Sequence, residues 1–340
     1  MLSFKKGRPL AIIKGGKQDG KTIRIYDKSQ HNANNNKCCN KCTIECRDAP
    51  QKEKCCSQCG GCVSPVTHNK HIEDYIAKFK KDNGKSMTTK QLNDLEKALK
   101  EGMKYVEQKD EEVTEIKIED GELIPLFTND EAQIDRFVVY GVSGSGKSTF
   151  TGKIVGQYLE DHPNDAFVIF SRVENDKPLD KHNPIRIQLD DNIIDEPIDD
   201  KELENAIVVF DDVETLKNEK VKKAMLALRD DLAECGRHTH THQVSTMHQL
   251  NFTRKETRVV LNEATGLVYF PKSGSLRGIT NYFKNIIGLD SKEIRKIHRL
   301  PSRWIMINRN YPQSIIYDKG VISLHALLKD DDPKNDQTTK

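Results

Sequence analysis

The sequence predicts an α/β fold: a mainly parallel sheet flanked by helices, with a small cysteine-rich N-terminal extension in front of it. Three observations carry that expectation. From about Leu123 onward, apolar runs alternate with helical segments, as a parallel sheet with crossover helices requires. One run, Arg136-Phe137-Val138-Val139-Tyr140, enters a glycine-rich loop from which a helical pattern leaves. Another, Ile207-Val208-Val209-Phe210, ends on the acidic pair Asp211-Asp212.

A chain of 340 residues allows one large domain with appendages, or two domains. Hydrophobic residues make up only 36% of it and the mean hydropathy is −0.69, low for a chain that is compact throughout. The poverty is uneven and falls between about residues 27 and 120. A net charge of +2 says nothing about nucleic acid, so any electrostatic footprint must be local. No apolar stretch approaches the roughly 20 residues of a membrane span, and the start, Met1-Leu2-Ser3-Phe4-Lys5-Lys6, lacks the apolar core of a signal peptide. A soluble chain in a reducing compartment is the expectation.

Taken in order, residues 1–30 read as a hairpin-like segment: Leu10–Ile13 and Thr22–Tyr26 are β-prone, with Gly15-Gly16 and Asp19-Gly20 supplying turns. A lone hairpin is marginal in water, so it needs a partner surface. Residues 31–71 form a cysteine-rich segment. Eight of nine cysteines lie between Cys38 and Cys62, including the pairs Cys39-x2-Cys42 and Cys56-x2-Cys59, the spacing of a tetrahedral zinc site. A cysteine-rich insert without metal and a disulfide knot are the alternatives. Residues 72–122 read as a helical arm with helices at 72–80 and 91–106, and a short strand around Val113–Ile118 leads out of it.

Residues 123–328 form the principal domain, with strands expected at 136–140, 166–170, 185–189, 206–210, 243–246 and 266–270. Helices are expected at 147–160 and 218–234, the second with Val221, Met225, Leu228 and Leu232 on one face. The stretch Gly141-Val142-Ser143-Gly144-Ser145-Gly146-Lys147-Ser148 fits the phosphate-loop pattern G-x-x-x-x-G-K-[ST] at every fixed position. Backbone N–H groups of such a loop turn inward around phosphate, and the following helix adds its partial positive charge. Residues Gly141 to Thr149 are therefore the expected ATP cradle, with Lys147 reaching the β/γ-phosphates and Ser148 ligating Mg²⁺.

The run ending at Asp211-Asp212 reads as a Walker B strand in an ASCE-type P-loop NTPase core. Asp211 is placed to hold the magnesium and Asp212 to polarise the attacking water, with Glu214 as a fallback base. A third signal follows: Gly236-Arg237-His238, a short gap, then a strand ending Thr246-Met247-His248-Gln249. That strand presents Thr246, His248 or Gln249 near the γ-phosphate. Arg237 is a candidate arginine finger for a neighbouring subunit's ATP, or an ordinary surface arginine. Downstream, a Gly/Ser loop carries Lys272 and Arg277, Trp304–Asn308 and Ser314–Tyr317 read as a closing hairpin, and residues 329–340 as a disordered tail.

The segments GVSGSGKS, VVFDD, GRHTHTHQVSTMHQ and TRVVLNEATGLVYFPKS together resemble the FtsK–HerA superfamily, and within it the DNA-packaging ATPases of poxviruses and giant nucleocytoplasmic DNA viruses. The resemblance spans roughly residues 123–325. It implies an ATPase ring that threads double-stranded DNA through a pore into a viral capsid, with capsid or portal partners and a viral-factory or virion setting. Arg237 matches the position of an arginine that acts across the subunit boundary. The tight T-Q of the superfamily is replaced by T-M-H-Q, which leaves His248 and Gln249 both open as the sensor. The alternatives are a P-loop kinase of small molecules or nucleotides, and an ATP-binding regulatory DNA-associated protein that works through the zinc segment.

Overall fold

Strand alternation and two apolar faces set the architecture. The structure, a computed structural model, describes residues 1–27, 113–128, 130, 132–251 and 254–324. The zinc-spaced Cys39, Cys42, Cys56 and Cys59, the helices expected at 72–80 and 91–106 and the charged tail lie outside those residues. Leu2–Ile25 belong to one compact unit with the chain from Thr114 onward.

Three antiparallel strands come first: β1 (Leu2–Ser3), β2 (Arg8–Lys14) and β3 (Thr22–Ile25). After β4 (Glu115–Lys117), strand β5 (Glu122–Pro125) pairs antiparallel with β2, setting Ile124 opposite Ile12. The partner surface that a lone hairpin lacks is thus supplied by β5, in a four-stranded sheet ordered β1-β3-β2-β5.

The remaining elements alternate as expected. They are β6 (Arg136–Tyr140), α1 (Lys147–Asp161), β7 (Ala166–Ser171), β8 (Ile185–Ile187), β9 (Ala206–Asp211), α2 (Glu219–Cys235) and β10 (His242–Met247). Then come α3 (Lys255–Glu263), β11 (Gly266–Tyr269), α4 (Arg277–Tyr282), α5 (Ser291–His298), β12 (Ile305–Asn308), β13 (Ser314–Tyr317) and β14 (Gly320–Ser323). They build a sheet of ten strands in the order β4-β14-β13-β12-β11-β6-β10-β9-β7-β8. The six strands from β11 to β8 are parallel. The other four are antiparallel, because the closing hairpin β12–β13 is extended by β14 and then by β4.

The sheet is covered on both sides. Phe137 and Val139 of β6 point into one core with Phe150, Ile154 and Tyr158 of α1 and with Ile13, Ile23 and Leu123 of the small sheet. Val138, one residue out of phase, faces the opposite core with Val260 of α3, Ile279 of α4, and Ile294 and Ile297 of α5. On that same side of β9, Val208 and Phe210 meet Val221, Met225, Leu228 and Leu232, the α2 stripe that its spacing predicts. Helix α1 is approached closely at Gly152, where a Cβ would lie 2.3 Å from the Pro178 carbonyl oxygen. Helix α5 is capped reciprocally, Asp290 accepting from the Glu293 N–H at 2.9 Å and Glu293 accepting from the Asp290 N–H at 2.6 Å.

The parallel strands begin at a polar edge. Buried Asp135 accepts from the Thr128 N–H at 2.7 Å, the Thr265 hydroxyl at 2.8 Å and the Asn310 amide at 3.0 Å, while burial pushes its carboxyl up. Beside it the His242 ring packs on Phe127 and Tyr158 and accepts from the Asp135 N–H through Nδ1 at 3.0 Å. Burial pushes His242 down to about 4. Histidine in an unfolded chain takes its proton near pH 6.5, so between about pH 6.5 and 4 the unfolded state binds the extra proton and stability falls with pH. The His242→Asn variant, whose amide oxygen can accept the same N–H, is expected to lose less stability across that window, by a margin on the order of 3 kcal/mol. Urea denaturation at pH 7 and pH 4.5 measures it, and parallel losses in both proteins would refute it.

Candidate active site

Because β6, β10 and β9 run parallel and in register, their C-terminal ends meet at one edge of the sheet. Thr246 is paired with Val139 on one side and with Asp211 on the other. At that edge β6 enters the Gly141–Gly146 loop, β9 ends on Asp211 and β10 ends just before His248.

The loop takes conformations that glycine alone adopts easily: φ is 74° at Gly144 and 109° at Gly146. At Gly141 a Cβ would strike the Ser145 hydroxyl at 2.4 Å, so the first glycine is required by close approach. Gly146 is the N-cap of α1, yet no side chain caps the helix and no acid stands in its first turn. The positive end of the helix is therefore left for an anion. The Ser145 hydroxyl is buried in the loop with no partner among the described residues.

Lys147 is buried and folds back over the loop. Its ammonium donates to the Gly141 carbonyl at 3.1 Å and to His248 Nδ1 at 3.2 Å, and lies 3.5 Å from Asp212 Oδ2. The triangle closes through His248 Nε2, which is 2.7 Å from Asp212 Oδ2. Those contacts suit an imidazole that donates from Nε2 and accepts at Nδ1. Asp212 holds φ at 50°, a left-handed conformation uncommon outside glycine, and its Oδ1 lies 3.3 Å from the same Thr246 hydroxyl that bonds Asp211. Burial pushes the Asp212 carboxyl up, and Lys147 opposes that rise.

Asp211 is buried and held from both sides, Oδ1 accepting from the Thr246 hydroxyl and Oδ2 from the Ser171 hydroxyl, each at 2.8 Å. Thr246 also accepts from the Asp212 N–H at 3.1 Å. Ser148 stands one residue inside α1, with its hydroxyl bonded to nothing among the described residues. One strand-end carboxylate and one hydroxyl form a donor set that fits Mg²⁺, which takes few protein ligands beside water and phosphate oxygens. Glu214 accepts from the His248 N–H at 3.3 Å through Oε1, while its Oε2 is buried without a partner and burial pushes its carboxyl up.

The structure thus gathers Lys147, Asp211, Asp212, Thr246 and His248. Gln249 is exposed and lines a cavity beside Glu214 and Arg254 instead of joining the Lys147 cluster. Arg237 lies in the short turn Gly236–His238 that precedes β10, at the edge where the parallel strands begin, close enough to Arg136 for their charges to interact. That edge is opposite the glycine loop of its own chain. Ser171 is the site residue that sequence reading missed. Its signal is its position, the last residue of the strand next to β9.

Thr246→Val, nearly isosteric, would leave Asp211 with one hydroxyl donor and the Asp212 N–H with no acceptor. A loss of about 1–3 kcal/mol in folding free energy is expected, read by chemical denaturation without nucleotide. Unchanged stability would show that the bridge between the two acids is not felt.

No family model matches the chain. Over 221 residues it is 34% identical to a protein of Sputnik virophage described as "Uncharacterized protein V3", a match covering 64% of this chain and 88% of that one. Its backbone is similar to the genome packaging NTPase B204 from Sulfolobus turreted icosahedral virus 2 in complex with AMPPCP, at 15% identity and a TM-score of 0.37 over 55% of this chain and 97% of that one. It is also similar to the cytoplasmic domain of the Type VII secretion ATPase EccC of Thermomonospora curvata, at 12% identity and a TM-score of 0.39 over 60% of this chain and 28% of that one. The match to the virophage protein extends over most of its length, and the chain belongs to the family of Sputnik virophage protein V3.

Proposed function

We propose that this chain is an ATP-hydrolysing motor that moves double-stranded viral DNA into a capsid. One observation carries the hydrolytic part: Lys147, Asp212 and His248 close on one another at the mouth of the Gly141–Ser148 loop, with Asp211 held buried beside them. The DNA track, the capsid or portal partner, the homo-oligomeric ring and the viral-factory setting rest on the sequence resemblance to packaging ATPases. A relative in a virophage fits a viral setting. No helix among the described residues is long and apolar enough to cross a membrane.

In this reading the glycine loop and the open end of α1 take the phosphate chain, and the Lys147 ammonium moves from Gly141, His248 and Asp212 onto the β/γ-phosphates. Ser148 and Asp211 would hold Mg²⁺, which would supply charge neutralisation at the phosphate oxygens. Losing Lys147 frees Asp212, whose raised affinity for a proton suits it to take one from water as that water's oxygen bonds to the γ-phosphorus. The bond to the bridging oxygen breaks, leaving ADP and phosphate. His248 exchanges Lys147 and Asp212 for the γ-phosphate and so reports its presence. Arg237, remote from its own loop, meets the ATP of a neighbouring subunit. Zinc at Cys39, Cys42, Cys56 and Cys59 belongs to the same proposal, with metal content of the purified protein as its check.

Mg²⁺-dependent ATP turnover that rises on adding duplex DNA, and that falls at least 100-fold in Lys147→Ala and in Asp212→Asn, is the expected result. Glu214→Gln should cost far less; the reverse ranking would make Glu214 the base. Mixing inactive Lys147→Ala with inactive Arg237→Ala should restore part of the activity. Transfer of phosphate to a nucleoside in place of water would replace the motor with a kinase.

A further inference from the structure

We propose that Arg303 is a nucleotide-contacting residue whose guanidinium binds the α-phosphate, the one next to the sugar, of the nucleotide held by the Gly141–Ser148 loop. The inference rests on the reading of that loop as a nucleotide site.

Arg303 comes just before β12, far along the chain from the loop, yet it lies against it. A Cβ placed on Gly146 would stand 3.3 Å from Nη2 and 3.6 Å from Nε of Arg303. The side chain is exposed, and no carboxylate, carbonyl or hydroxyl among the described residues takes a hydrogen bond from it. Arginines elsewhere in the fold that press on backbone are tied down. Arg309 donates to the carbonyls of Leu261, Asn262 and Ala264, Arg136 to that of Glu263, and Arg229 to that of Glu256 and to Asp230. An arginine resting on a glycine loop with all its donors unfilled is therefore placed for something that loop holds. The backbone behind it is fixed: the Trp304 ring packs edge-on against Phe150 at 4.8 Å, and the Ser302 hydroxyl donates to the Trp304 carbonyl at 2.5 Å. The planar fork of a guanidinium suits phosphate oxygens and can make two hydrogen bonds at once.

The side of the loop on which Arg303 lies decides which phosphate it meets. Strand β6 is flanked by β10 on one side and by β11 on the other. The carboxylates, Thr246 and His248 all come from the β10 and β9 side, where the terminal phosphate and its metal belong. Arg303 comes from the β12 side, next to β11, together with Phe270, whose ring is 3.5 Å from that same Cβ position on Gly146, and with Gly274, which closes on Val142. A phosphate chain with its far end at Lys147 and Asp211 has its sugar end there.

The experiment is calorimetric titration of ADP and of ATP, each with Mg²⁺, into wild type, Arg303→Ala and Arg303→Lys, alongside a melting curve of each protein without nucleotide. Loss of one charge-assisted contact predicts that Arg303→Ala weakens ADP and ATP together, by roughly tenfold or more. Arg303→Lys should recover part of this, and the melting temperatures should coincide because the side chain has no hydrogen-bond partner among the described residues. Equal affinities in wild type and Arg303→Ala, or a loss confined to ATP, would overturn the assignment, the latter by placing the guanidinium at the γ-phosphate. A lowered melting temperature in Arg303→Ala without nucleotide would overturn it in favour of a structural role. Wild-type protein that binds neither nucleotide overturns the nucleotide site itself, and this inference with it.

Discussion

Asp211 and Asp212 stand side by side at the end of β9, and their mutual repulsion is contained by the strand alongside. Thr246 donates its hydroxyl proton to Asp211 and accepts the N–H of Asp212, so one side chain from β10 fixes both acids. Ser171 completes the enclosure of Asp211 from the far side. This works only while β10 is wedged between β6 and β9 with Thr246 level with Val139 and Asp211. A slip of one residue would send Thr246 to the opposite face of the sheet and leave both acids without it. Beyond that shared hydroxyl the two acids differ in their company, Asp211 enclosed with Ser171 and Asp212 reaching Lys147 and His248.

The same constraint sets the charged groups around Lys147 against one another. Lys147, Asp212 and His248 neutralise one another, so a buried ammonium and a half-buried carboxylate need no solvent. His248 meets Lys147 through one ring nitrogen and Asp212 through the other, so a single ring links both charges.

Much of this was legible in the residues. The Gly141–Ser148 pattern and the apolar run into Asp211-Asp212 are local signals, and they survive because parallel strands buried on both faces are written as continuous apolar stretches. The six parallel strands lie within one or two residues of their expected bounds. Other elements carry weaker signals. Strand β5 ends on Pro125, which argues against a strand, and β14 is four residues recognisable only from its pairing with β13. Helix α5 did announce itself through Asp290 and Glu293, a capping-box spacing passed over among its charged residues. What sequence does not contain is adjacency between distant segments. Ser171 beside Asp211, Arg303 on Gly146 and the separation of Arg237 from its own loop are products of strand order. The choice between His248 and Gln249 likewise turns on which way the chain bends after Met247.

The pairing of β2 with β5 also carries a consequence for synthesis. Ile12 waits for Ile124, and among the described residues the sheet of β2 and β3 is not extended beyond β1 until that partner has left the ribosome. At an elongation rate of about 5–20 residues per second the delay is on the order of 5–20 seconds. Throughout it, Leu10, Ile13, Ile23 and Ile25, all buried in the finished fold, lack the cover that Leu123 and the residues after it provide. Apolar surface of the first strands that β5 later closes is therefore open to unwanted association well before the glycine loop has been translated.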